Sequence, residues 1–119
     1  MNIKLRRVYD APAMPDRPRI LVDRLWPRGI SKADAQVDVW ARDIAPSDDL
    51  RKWFSHDRTK WEEFRRRYFE ELKANAESVK ALVDEFKVKP VTFLFAAKDE
   101  KFNNAVALSQ YIQRQTEVS

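Results

Sequence analysis

Short apolar runs and helically spaced apolar positions divide this chain into successive elements. Apolar or partly alternating runs predict strands at 3–9, 19–25 and 91–97. The centres of the second and third runs are continuously apolar, which is typical of strands covered on both faces of a parallel sheet. Residues 37–44 alternate in part, and they form either a short strand or an extended connection.

Helical spacing of apolar residues predicts helices between and after these runs. Ser31 is expected to cap a short helical turn, and Ser47 a short helix through 49–54. A capping-box pattern at 59–62 opens a helix that extends to about residue 74. Further helices are expected at about 77–86 and 100–115, with Phe102 on the inner face of the last one.

The order strand, strand, helices, strand, helix is an α/β pattern. Continuous apolar strands between amphipathic helices indicate a mostly parallel sheet of three to four strands, with helices packed on it. A length of 119 residues suits one domain, and no repeat or linker divides the chain. We therefore expect a single small α/β domain over residues 1–119.

Composition excludes several classes of function. The chain has no cysteine, which rules out disulfides, thiolate metal sites and cysteine nucleophiles. No apolar run approaches the roughly 18 residues of a membrane-spanning helix, and no signal peptide opens the chain, so a cytoplasmic protein without a membrane partner is expected. The net charge of +4 favours anionic partners, although it also serves solubility.

Polar and charged side chains follow two of the predicted strands, where ligands bind in open α/β sheets. Asp23, Arg24, Trp26, Arg28, Gly29 and Ser31 come after the second strand, and Lys98, Asp99, Asn103 and Asn104 come after the last one. If these strands are parallel and near neighbours, the two loops face each other across one crevice. The sequence therefore predicts one site at this edge of the sheet.

Gly29 is the only glycine in the chain. It suits a turn with positive φ, or a close approach of the backbone to a ligand. Its amide, with those of Ile30 and Ser31, could form an anion-binding concavity at a helix start. The alternative is a plain turn glycine.

The charged and aromatic candidates each have a chemical and a structural interpretation. Arg24 and Arg28 can clamp a carboxylate or phosphate. Alternatively, Arg24 forms a structural ion pair with Asp23 or Asp99, and Arg28 is solvated. Trp26 can stack on a planar ligand or pack over the strand end. Asp23 and Asp99 are acid–base candidates, although Asp99 also suits a helix cap.

His56, the only histidine, is the third catalytic candidate. A His–Asp pair with Asp57 requires contact between the side chains, so a structural or surface role stays open. No ligand spacing indicates a metal site, and no cofactor is assigned. The arginines at 65–67 lie on the polar side of their helix, as a solvated face or a nucleic-acid patch.

Four segments together resemble the YeaO-like family, a branch of the bacterial domain of unknown function 488. They read LVDRLWPRGISK, IAPSDDLRKWFSHD, WEEFRRRYFEEL and FLFAAKDEKFNNAVAL, and the match runs from about Val8 to Ile112. The resemblance implies a small cytoplasmic α/β protein with no established activity, cofactor or substrate. The family's polar motif residues correspond to Asp23, Arg24, Trp26, Pro27, Arg28, Gly29, His56, Asp57, Lys98, Asp99 and Asn103.

The chain departs from the family pattern at two positions. The family usually has His-Asn where this chain has Phe102-Asn103, so any chemistry of that histidine in relatives is missing here. Ser55 stands where relatives often have glycine, and we expect this serine to stiffen the turn before His56.

Three functions follow from these observations. The leading hypothesis is a crevice for a small anionic ligand. Arg24, Arg28 and Lys98 would supply positive charge there, and Ser31 and Asn103 would add polar contacts. Asp23 and Asp99 would orient the ligand or supply acid–base chemistry. The alternative is a nucleic-acid-binding protein that uses a dispersed basic surface and exposed aromatics. The third is a protein-interaction module in which Trp40, Trp53 and Trp61 partly serve an interface. The oligomeric state and whether the chain is an enzyme stay open.

Overall fold

The computed structural model describes residues 1–12 and 16–117. Within them, four parallel strands form one sheet in the order β1-β4-β2-β3. The strands are β1 (Ile3–Arg7), β2 (Arg19–Leu21), β3 (Val39–Trp40) and β4 (Val91–Phe95). The helices are α1 (Lys32–Ala35), α2 (Asp48–Phe54), α3 (Trp61–Ala74), α4 (Ala76–Phe86) and α5 (Asn104–Glu117). The predicted small α/β domain is confirmed.

The central strands end earlier than their apolar runs. β2 stops at Leu21 and β4 at Phe95, whereas the runs predicted ends at residues 25 and 97. For β4 the reason is a side chain: the Ala96 amide donates to the Asp23 carboxylate (2.9 Å) instead of a neighbouring strand. β2 and β4 lie side by side, so the segments that follow them leave the sheet at the same edge.

Two predicted helix starts are confirmed and two are wrong. Ser31 and Ser47 accept hydrogen bonds from backbone amides as caps of α1 and α2. The capping box at Thr59 does not form, because Asp57 accepts the Thr59 amide and hydroxyl and caps a 3-10 turn at Arg58–Lys60. The last helix starts at Asn104 rather than near 100, because Asp99 orders the preceding turn by accepting backbone amides.

Aromatic side chains fix the end of α2 beside the sheet. Phe54, in the last turn of α2, stacks on Phe64 of α3 with ring centroids 4.3 Å apart, and both are buried. Trp61 and Tyr68 extend the cluster, and the Tyr68 hydroxyl donates to the Ile44 carbonyl (2.6 Å). Burying such a side chain contributes roughly 1.5–3 kcal/mol, so α2 is held rigidly near the strand ends.

In residues 1–12 and 16–117, no helix is both long and apolar enough to cross a membrane.

Candidate functional site

The carboxyl ends of β2 and β4 open into one crevice with a volume of about 840 Å³. The loops after the two strands and the carboxyl end of α2 line it together. The expectation that the two strand-end loops face each other is therefore confirmed. The predicted residues that line the crevice are Asp23, Arg24, Trp26, Arg28, His56, Lys98, Asp99 and Asn103.

Asp23 links three parts of the crevice. Its Oδ2 accepts the Ala96 amide (2.9 Å), and its Oδ1 accepts the Asn104 side-chain amide (3.0 Å). Burial raises the pKa of the Asp23 carboxyl above its ordinary value, although these hydrogen bonds and the charges of His56 and Arg51 act in the opposite direction. The hydrogen bonds and nearby charges therefore stabilise the carboxylate less than the loss of solvent destabilises it.

Asp99 has the opposite environment. Its Oδ2 accepts a hydrogen bond from Arg58 (2.7 Å), and its Oδ1 accepts the amides of Lys101 and Phe102. The bond from Arg58, together with those two amides, lowers the pKa of Asp99 to about 2. Asp99 therefore acts in the structure as an ionised carboxylate that orders the turn before α5.

Arg24 and Trp26 have structural partners. Arg24 donates to the carbonyls of Pro46 (2.9 Å) and Ala45 (3.0 Å), so neither of the expected ion pairs with aspartate forms. The Trp26 indole donates to the Ile30 carbonyl, and its ring meets Trp40 edge-on at 5.5 Å. Both side chains thus hold the loop after β2 in place, and the packing interpretation of Trp26 applies.

The turn at Gly29 is not part of the crevice lining. Gly29 has the expected positive φ of 76°, but a Cβ there would meet nothing within 4 Å, so no close approach requires glycine. Ser31 uses its hydroxyl to cap α1, which has four residues. The predicted concavity of amides at Gly29 and Ser31 therefore lies apart from the crevice, whereas Arg28 faces it.

His56 lines the crevice without Asp57. His56 has a φ of 57° and follows Ser55, whose φ is 47°, so two residues in left-handed conformation end α2. The Asp57 carboxylate accepts the amide and hydroxyl of Thr59 at 2.9 and 2.6 Å, and these bonds lower its pKa. The His–Asp pair considered from the sequence does not form, because Asp57 is committed to the next turn.

Asn103 and Phe102 prepare the start of α5. Asn103 is 2% exposed; its Oδ1 accepts the Val106 amide and its Nδ2 donates to the Asp99 carbonyl. Phe102 meets Trp61 edge-on at 5.5 Å and lies under the Arg58 guanidinium. Phe102 thus packs as expected, but in the loop before the helix.

Sequence reasoning missed two cations at the crevice. Arg51 and Lys52 lie in the last turn of α2, and both line the crevice. Cations suit this end of a helix because its carbonyl groups carry partial negative charge. The cap at Ser47 identified the start of this helix, but only the packing of Phe54 brings its other end to the strand ends.

Comparison with known proteins identifies the relatives of this chain. A family described as "Inactive DUF488-N3 subclade" matches residues 2–119. The chain is 42% identical to the uncharacterized protein YeaO of Escherichia coli (strain K12) over 113 residues, which cover 95% of this chain and 98% of that protein.

It is also 38% identical to the uncharacterized protein Rv3073c of Mycobacterium tuberculosis (strain ATCC 25618 / H37Rv) over 113 residues, 93% of each chain. No solved structure matches. The matched length and these identities place the chain in the YeaO-like family of the domain of unknown function 488.

Proposed function

We propose that the crevice binds a small anionic molecule that carries a phosphate or carboxylate group. The observation that carries this proposal is the excess of cations in a concave site, where Arg24, Arg28, Arg51, Lys52 and Lys98 accompany Asp23 and Asp99. Among the described residues, the side chains of Arg28, Lys52 and Lys98 have no hydrogen-bond or ion-pair partner. Unpaired cations around a low-dielectric cleft attract anions from solution.

Binding without turnover accounts best for the acidic groups. Asp99 is held ionised by Arg58, so it is a poor proton donor near neutral pH. Asp23 is the remaining carboxylate for acid–base chemistry, and its two oxygens already accept protein hydrogen bonds. The description of the matching family as an inactive subclade supports a binding role.

A nucleic-acid interface has less support. Arg66 and Arg67 of α3 both donate to Glu63 at 2.8 Å, and Arg65 donates to Glu62 at 2.6 Å. Arginines paired in this way offer less net positive charge to a phosphate backbone. The basic run at 65–67 therefore counts mainly as a solvated helix face.

An interaction module built on tryptophans also has less support. Trp61 is buried, Trp53 is covered by Lys60 and Arg67, and Trp40 lies under Arg42. Half-buried rings covered by cations do not present a continuous apolar surface to a partner.

Thermal unfolding with added anions tests the proposed binding. We expect inorganic phosphate, pyrophosphate or nucleotides to raise the melting temperature, since a ligand at 100 times its Kd adds roughly 2.7 kcal/mol. The paired change Arg28→Ala with Lys98→Ala should weaken binding at least tenfold, by roughly 1.4 kcal/mol. Lys89→Ala is the matched control, because Lys89 is exposed and does not line the crevice.

The proposal fails if no anion stabilises the protein, or if Lys89→Ala weakens binding as much as Lys98→Ala does. Binding of duplex DNA or RNA that falls steeply with salt, without any effect of small anions, would favour the nucleic-acid alternative.

A further inference from the structure

The crevice combines exposed cations with one largely shielded carboxylate. Arg28, Arg51, Lys52 and Lys98 are exposed and surround its mouth, whereas Asp23 is largely shielded and lies where β2 and β4 end. Any ligand that carried only negative charge would be attracted by the mouth and repelled by Asp23. A ligand that fills the whole crevice must therefore keep its anion at the mouth and present a different group to Asp23.

Asp23 can accept a further hydrogen bond from a ligand. Each of its oxygens accepts one protein hydrogen bond, and an ionised carboxylate has about four acceptor positions. Burial still raises the pKa of Asp23, so the two protein donors do not offset the loss of solvent. A hydroxyl or amino group of a ligand would add a third donor to the two from the protein, whereas an ionised phosphate oxygen would not.

Part of the crevice wall is apolar. Leu25 and Tyr9 are 52% and 40% exposed, which is unusual for large apolar side chains in this protein, and both line the crevice. Pro27, Phe54 and Phe64 also line the crevice, but they are buried and expose little of their own surface. Such a wall favours a flat or aromatic body, as in most small-molecule sites.

The volume supports a ligand larger than a simple ion. About 840 Å³ lies within the range of roughly 300–1,000 Å³ for sites that bury metabolites. An inorganic phosphate would leave most of the apolar wall uncovered and would give Asp23 no donor beyond those of the protein. The ligand therefore combines an anion, a flat ring and a hydrogen-bond donor.

This inference rests on the proposed anion binding and specifies its ligand class. We propose that the crevice binds a nucleoside monophosphate, with its phosphate among the mouth cations, its ring on the apolar wall and a hydroxyl or amino group donating to Asp23. Nucleoside monophosphates unite the three features in one small molecule. Asp23 is then a specificity-determining residue, which selects nucleotides over simple anions.

Calorimetric titration of wild-type protein with two series of ligands tests this assignment. The first series is inorganic phosphate, ribose 5-phosphate and the four common ribonucleoside monophosphates. At least one nucleotide should bind tenfold or more tightly than inorganic phosphate. The second series removes donors from that nucleotide, one analogue lacking the ribose 2′- and 3′-hydroxyls and one lacking the donor on its base. One of these analogues should lose at least tenfold in affinity.

Asp23→Asn provides the protein side of the same test. The variant should lose the preference for the nucleotide while binding inorganic phosphate as well as wild type does, or better, because a negative charge is gone. A merely structural role would weaken both ligands equally. If the variant does not fold, the analogue series with wild-type protein decides the question.

The possible outcomes separate the two proposals. If phosphate and nucleotides bind with equal affinity, or if neither donor-free analogue loses affinity, the nucleotide assignment is overturned while anion binding stands. If Asp23→Asn weakens phosphate as much as nucleotide, Asp23 does not select the ligand. If no anion binds, both proposals fail together.

Discussion

The loops that follow β2 and β4 occupy equivalent places in the sheet, yet the pKa values of their aspartates are shifted in opposite directions. Asp23 is shielded between the strand ends, and burial raises its pKa. Asp99, in the turn before α5, lies beside Arg58, which lowers its pKa to about 2. The same residue type after two parallel neighbours thus has different chemistry, because ionisation depends on the surrounding groups rather than on the place in the sheet.

The two loops also differ in what holds them. The loop after β4 contains a local set of bonds: Asp99 accepts the amides of Lys101 and Phe102, and Asn103 donates back to the Asp99 carbonyl. The loop after β2 instead depends on distant segments, through bonds from Arg24 to residues 45 and 46. A change in the loop after β4 should therefore disturb the turn before α5 and the start of α3, where Phe102 contacts Trp61. A change at Arg24 should instead disturb the segment that precedes α2.

The largest expected effect comes from removing the Phe102 ring. Phe102→Ala should lower the free energy of unfolding by about 2 kcal/mol, because it removes the contact with Trp61 and the platform for Arg58. Phe102→Tyr keeps the ring and should retain most of the stability. Denaturant unfolding of the two variants measures the difference, and equal stabilities would show that the ring does not anchor this loop.

A smaller effect is expected when Asp99 loses its charge. Asp99→Asn should reduce stability at neutral pH, because the carboxylate form is favoured in the folded state. This advantage of wild type is present above the ordinary pKa of 3.8 and is lost as pH falls toward about 2. Denaturant unfolding of both proteins at pH values from 7 to 2, in steps of ~1 unit, measures how this stability difference changes with pH. Arg58→Ala should remove most of that pH dependence, because the bond from Arg58 is the main cause of the lowered pKa.

The smallest effect, with the opposite sign, is expected at Asp23. Because its pKa is raised in the folded state, its contribution is greatest below the ordinary value of 3.8 and is lost as pH rises through the raised pKa. Wild type should therefore lose stability relative to Asp23→Asn as pH rises from that value. A difference that changes in the same direction as that of Asp99→Asn would contradict the contrast between the two loops.

The sequence predicted much of the fold because strand and helix patterns depend on local spacing. The continuous run through β4 and the caps at Ser31 and Ser47 were all read from neighbouring residues. The end of β4 at Phe95 was not, since the Ala96 amide donates to Asp23, 73 positions away in the sequence, instead of to a strand partner. Patterns of spacing do not contain such long-range hydrogen bonds.

The same distinction between local sequence patterns and long-range contacts applies to the candidate site. The sequence by itself determined that charged and polar groups follow two strands of a parallel sheet, and this was enough to place one crevice at their ends. Only the tertiary structure decided that Arg24 donates to backbone carbonyls and that Asp57 bonds to Thr59 rather than to His56. Packing also decided that α2 adds Arg51 and Lys52 to the crevice. The physical reason is that side-chain direction and ionisation depend on neighbours brought together by packing, which are distant along the chain.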